Sequence, residues 1–193
     1  MNDPLEENYK KVVYYLNKLF DSESVEKYLE KLCGNNYDLI KEGSYATTKS
    51  TGLAYRGSLL QTIFEICDYA CKINEILPEE KRVERSDIYR AGILSQLIKA
   101  ILFQENTNEW EKEKRGIIYT FTDQSLALRM GERAAYYALS SGLDISMEVY
   151  EAIRILDKND SNDNYTKYYS GTLANIIRQA TEIVDLIHNQ THS

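Results

Sequence analysis

Apolar residues along this chain recur at intervals of three and four, the spacing of helices that bury one face. Leu5, Tyr9, Val12, Val13, Leu16, Leu19 and Phe20 trace the first stripe. Asp21 to Ser24 supply cap-type residues for a second helix carrying Val25, Tyr28, Leu29 and Leu32, with Gly34 as its stop. Residues 35–53 show no period and read as mostly loop. From Gly57 to Leu77 the stripe is Leu60, Ile63, Phe64, Cys67, Ala70, Cys71 and Asn74, ended by Pro78. Ser86 is placed to cap a helix carrying Ile88, Ala91, Leu94, Ser95, Ile98, Ile101 and Leu102. Three more helices are predicted over about 123–141, 146–157 and 170–189, the last striped by Leu173, Ile176, Ile177, Ala180, Ile183, Val184 and Ile187. The helical period lapses over 105–122. There Trp110, Ile117, Ile118, Tyr119 and Phe121 surround the charged turn Glu113-Lys114-Arg115-Gly116, which predicts a small β-hairpin near 109–121. The expected fold is an all-α bundle of seven to eight helices in one domain over 1–193, with amino-terminal helices 5–33 packed on a core of 54–189.

Length and composition support that picture: 193 residues suit a single core, and a 43% hydrophobic share is enough to fill it. A net charge of −7 argues against nucleic acid as the main partner, because phosphate binding needs a basic face. The densest basic run, Lys81, Arg82 and Arg85, is diluted by Glu79, Glu80 and Glu84. Cys33, Cys67 and Cys71 make no disulfide framework; Cys67 and Cys71, one turn apart on an apolar stripe, read as buried small hydrophobes, with a metal or redox pair as the alternative. The amino-terminal MNDPLEENYKK lacks an apolar signal core, and no apolar run approaches the ~18 residues of a membrane span. A cytoplasmic protein without a membrane partner is therefore expected. The sequons at Asn159, Asn164 and Asn189 then mark exposed polar positions, the first two flanking or within the polar segment 158–164.

Five segments, taken in order, resemble a known family. Ala54-Tyr55-Arg56-Gly57-Ser58-Leu59-Leu60-Gln61-Thr62 resembles the Y-x-G-G-L-L-E-H stretch of HD-domain (histidine–aspartate) proteins, and Gly92 to Ala100 resembles their G-L-L-H-D-L-x-K-A helix. Met130-Gly131-Glu132-Arg133 is similar to H-G-E-K/R, Gly142 to Arg154 to the stretch ending E-A-I-R-[YW]-H-M, and Thr172 to Thr181 to the helix P-L-x-x-L-L-H-x-A-D. The resemblance implies a helical fold whose relatives use histidines and aspartates to hold divalent ions that activate water against phosphate esters. In this chain the corresponding positions are Gly52, Thr62, Ser95, Gln96, Met130, Leu156 and Thr181, none of them a histidine or carboxylate. The whole sequence has two histidines, His188 and His192, in a stretch where chain ends commonly fray. Glu132, Asp157 and Glu182 are the carboxylates that could rebuild a magnesium site.

No cofactor and no catalytic residue are expected on this reading: Walker, dinucleotide-binding and C-x-x-C motifs are absent, and no core histidine stands ready as a base. The resemblance implies a catalytically inactive scaffold that binds another protein or itself, in a phage-associated or virion setting; Trp110, Ile117, Tyr119 and Phe121 are the interface candidates. The alternative is a nucleotide sensor that holds phosphate through Lys99, Arg133 and Arg154 without cleaving it. The competing role for those arginines is to salt-bridge Glu132, Glu151 or Asp157. A divergent metal-dependent hydrolase is the third reading.

Overall fold

The computed structural model describes residues 3–123, 126–155 and 170–189. It is an all-α bundle with one small hairpin. In chain order the helices are α1 (Pro4–Leu19), α2 (Ser22–Cys33), α3 (Asp38–Lys41), α4 (Ser58–Ile76), α5 (Arg85–Leu97), α6 (Lys99–Leu102), α7 (Met130–Ser140), α8 (Met147–Ile155) and α9 (Thr172–His188). Strands β1 (Phe103–Glu105) and β2 (Tyr119–Phe121) lie between α6 and α7. Single turns α3 and α6 account for the excess over the expected helix count, and α3 sits inside the stretch read as loop.

Local chemistry explains most of the boundaries. Asp3 accepts the Leu5 N–H at 3.0 Å and Pro4 occupies the first turn of α1, while Asp21 accepts the Ser24 N–H at 2.9 Å to open α2. Gly57 sits at φ +84°, a conformation that only glycine adopts without strain, and turns the chain into α4. Helix α5 begins at Arg85, with Glu84 as N-cap and no side-chain cap, so Ser86 is not the capping residue. Asn74 clamps the α4–α5 connection instead of filling the core: its amide donates to the Val83 carbonyl and accepts the Val83 N–H, both at 2.9 Å.

Helices α4, α5, α8 and α9 form the centre, with α9 laid along α4, α5 and α8. Helix α1 crosses α3, α4 and α5, and α2 rests on α6 and α7. From Ile88 to Leu97 every residue of α5 but Arg90 is buried: Tyr89, Ile93 and Leu97 are sequestered along with the stripe residues Ile88, Ala91 and Leu94. A helix wrapped by its neighbours shows little one-sided periodicity. Each large apolar side chain buried here contributes about 1.5–3 kcal/mol. Close approach of α4 and α5 depends on Gly92, where a Cβ would lie 2.6 Å from the Cys67 sulfur. All three cysteines are buried, and burial raises the Cys67 thiol pKa.

The hairpin differs from its expected position. Its strands pair Phe103 with Phe121 and Glu105 with Tyr119, and the charged run Glu111–Arg115 forms a π-helical turn between them. Trp110 is therefore on the connection and not on a strand. Among the described residues no helix is long and apolar enough to cross a membrane.

Candidate functional site

The described positions among those that the HD resemblance singles out fall on different elements. Thr62 on α4 and Ser95 and Gln96 on α5 are 0, 1 and 1% exposed. The hydroxyls turn back onto their own helices: Thr62 donates to Ser58 O at 2.8 Å, Ser95 to Gly92 O at 3.3 Å, and half-buried Thr181 to Ile177 O at 2.9 Å. Met130 packs against the core at the start of α7, and Gly52 ends a short 3-10 turn at φ +69°. Leu156 and Asp157 lie outside the described residues. Glu132 accepts the Arg129 N–H at 3.0 Å and so caps α7, while Glu182 is exposed. Among the described residues no three His, Cys, Asp or Glu side chains are grouped to hold a metal ion. None of these positions supplies a carboxylate or imidazole, the side chains that hold most divalent transition metals.

A polar seam that the sequence does not announce lies at the α5–α6 junction. Gln96 has neither Oε1 nor Nε2 hydrogen-bonded, although both atoms are buried. An amide left this way costs about 1–3 kcal/mol for each unpaired group. Three residues on, Lys99 is 8% exposed, its ammonium 3.3 Å from the centroid of the Tyr45 ring. Burial lowers the Lys99 pKa to about 7, and the charge of Asp185 on α9 partly opposes that shift. Partial desolvation raises the Asp185 carboxyl in turn, with Lys99 and a hydrogen bond from Tyr45 pulling it down. One turn further along α9, His188 meets Glu65 of α4 at 2.7 Å. His188 is thus held in the fold and not frayed. Tyr45 belongs to the non-periodic stretch, and Asp185 follows Thr181 by one helical turn; that i, i+4 spacing was the available signal for Asp185, whereas nothing local marked Tyr45.

The other candidate residues are distributed differently. The Arg133 guanidinium donates to the carbonyls of Leu126 and Leu128, which holds the chain entering α7. Arg154 is half-buried in the last turn of α8. Among the described residues neither arginine forms an ion pair with Glu132 or Glu151; Glu151 instead accepts the Gly171 N–H at 3.0 Å ahead of α9. The hairpin aromatics divide into two groups. Trp110 and Phe121 are 61% and 64% exposed, Phe121 packing edge-to-face on Phe103 at 5.0 Å. Ile117 and Tyr119 are half-buried: Ile117 bridges to Thr48, and the Ile118 and Tyr119 N–H groups both donate to Thr47 O, at 2.9 and 3.1 Å. Tyr119 also lines a cleft of about 430 Å³ with Asp38, Glu42, Arg56 and Glu105.

Fold and site together define a helical-bundle protein with a buried, unpaired glutamine amide and, three residues on, a buried lysine against a tyrosine ring. Neither the protein-family models, the curated proteins nor the solved structures gave a match to this chain.

Proposed function

We propose that this chain is a non-catalytic scaffold, related in plan to HD-domain proteins but without their metal chemistry, that works by binding another protein or a second copy of itself. The observation that supports this reading is that three of the positions where the resemblance would place ligands are turned inward: Thr62, Ser95 and Thr181 each spend their hydroxyl on their own helix. The hairpin supplies the contact surface. Its backbone is anchored to residues 47–49, so presenting Trp110 and Phe121 costs little ordering entropy on binding. Large aromatic anchors on such a support are the residue types that dominate interface energetics.

The double variant Trp110→Ala/Phe121→Ala tests this surface, since Tyr119 is partly committed to the fold. Its circular dichroism and melting temperature should match the parent, while self-association in light scattering, or retention of a partner purified and re-added at known concentration, should fall at least tenfold. Unchanged association removes the hairpin from the interface. A separate expectation concerns metal content. Elemental analysis of protein purified without chelator should find well under one Mn, Fe, Ni or Zn per chain, and phosphate mono- and diesters should survive incubation with it. One bound transition metal per chain, or manganese-dependent hydrolysis, would return the chain to the enzymes.

A further inference from the structure

Acidic side chains outnumber basic ones along this chain, 30 to 23, so a cavity with two cations and no acid departs from the general run of the sequence. One lies between the last turn of α1 and the first turn of α5. It holds about 360 Å³, within the ~300–1,000 Å³ of small-molecule sites, and its lining is Lys18, Arg85, the Ser86 hydroxyl and an apolar wall of Tyr15, Leu19 and Tyr89. Among the described residues no carboxylate lines it, and neither Lys18 nor Arg85 forms an ion pair. The nearby acids are engaged elsewhere or stand outside: Asp87 meets Arg90 at 2.7 Å, Asp68 accepts the Tyr89 hydroxyl at 3.4 Å, and Glu84 precedes α5 beyond the lining. The two walls are fixed with respect to each other. Arg90 donates to the Leu19 carbonyl of α1 at 3.1 Å and to Ser86 Oγ of α5 at 3.4 Å, while Tyr15 and Tyr89 stack with centroids 4.7 Å apart.

We infer that this cleft binds the dianionic phosphate of an aryl phosphate, either a free small molecule or a phosphotyrosine side chain. Two unpaired cations match two negative charges, and a guanidinium fork with an ammonium can share the terminal phosphate oxygens. Ser86 accepts from Arg90, which leaves its own proton to donate to the same group. The faces of Tyr15 and Tyr89 are turned to each other, so the ligand's ring would lie against Leu19 and the rims of the two tyrosines. On the other side of Lys18 and Leu19 the adjoining cavity carries Asp21 and Asp144, which oppose a second anionic group and confine the ligand's charge to one place. The cleft shares no residue with the hairpin, so this assignment holds or fails separately from the interface described above.

Phosphorus-31 line broadening of phenyl phosphate by the full chain, at constant ionic strength, tests the assignment. Broadening is expected at pH 7.5 and should weaken at pH 5, where a phosphate with its second pKa at about 6 has lost one of its charges. Lys18→Gln and Arg85→Gln change exposed side chains, so the circular dichroism spectrum should persist while the dissociation constant rises about tenfold for each. A tyrosine-phosphorylated peptide that displaces phenyl phosphate identifies the source as a protein side chain; a peptide that does not displace it identifies free aryl phosphates. Inorganic phosphate that binds as well as phenyl phosphate overturns the aryl requirement, and benzoate that competes equally overturns the need for a dianion. Broadening that survives the double variant Lys18→Gln/Arg85→Gln moves the ligand elsewhere and overturns the proposal. So does the absence of broadening at about 10 mM, a concentration that fills most of a site whose dissociation constant is near 1 mM.

Discussion

Replacing Gly131 with alanine should lower the melting temperature by about 6–12 °C, the result of roughly 3 kcal/mol of lost stability in a chain of this size. Gly131 is the second residue of α7, and α7 packs directly on α8. A Cβ built there meets the carbonyl oxygens of Ile153 and Arg154 at 2.5 and 2.7 Å. Those atoms belong to the backbone of α8 and cannot rotate aside, so the two helices must separate. The separation is felt widely, because α8 also contacts α5 and α9. Differential scanning calorimetry of Gly131→Ala, with Gly171→Ala as a comparison in which the added Cβ meets only the Glu151 carboxylate, decides the matter. A loss below about 1 kcal/mol would mean that α7 is docked loosely.

Lys99→Met is expected to act in the opposite direction and to flatten the pH dependence of stability. In the folded protein the Lys99 amine titrates at about 7, well below its ordinary 10.5. Below pH 7 the lysine is charged in both folded and unfolded chains, and the folded state bears the full cost of burying it. As pH rises above 7 the folded protein releases a proton that the unfolded chain retains, so stability climbs. Between pH 7 and 8.5 the gain should be about 2 kcal/mol, and the ceiling set by the whole shift is about 5 kcal/mol. Methionine fills similar volume without charge. The variant should therefore be more stable than the parent at pH 6 by a few kcal/mol, with the difference shrinking toward pH 8.5. Asp185 loses its cation in this variant, and because its carboxyl is partly desolvated, that loss offsets part of the gain. Urea titrations at pH 6, 7 and 8.5 measure the slope directly; a parent and variant with parallel pH profiles would show that Lys99 keeps its proton throughout.

The helices with one buried face were legible because one-sided burial writes itself into residue spacing. Val12 and Leu16 in α1, Val25, Leu29 and Leu32 in α2, and Leu173, Ile177, Ala180 and Val184 in α9 are all core residues that the period marks. Where burial has no side, as in α5, the period reveals only part of the core. The hairpin register was not legible, since Phe103-Gln104-Glu105 has no alternation beyond three residues and pairs with a segment found only through tertiary contact. Capping was read correctly where an aspartate did it, at Asp21, and missed where Glu132 reached back to the Arg129 N–H. At the site, sequence shows that Thr62, Ser95 and Thr181 are hydroxyls, and short-range chemistry already favours bonds to the preceding turn. The isolation of Gln96, the Tyr45 ring over Lys99 and the His188–Glu65 contact depend on segments brought together from far apart, Glu65 and His188 being 123 positions apart in sequence.

That long separation bears on synthesis as well as on the folded state. Helix α4 emerges from the ribosome about a hundred residues before α9, the helix that covers it, and translation at ~5–20 residues per second leaves that face without its cover for several seconds or more. The face of α4 that α9 covers cannot complete its burial until α9 has been made. During that interval α1, α3 and α5 are the partners already available to α4. The amino-terminal half must therefore remain soluble as an open, incompletely packed helical layer, which makes nascent chains paused within 77–171 the species most prone to chaperone capture or aggregation.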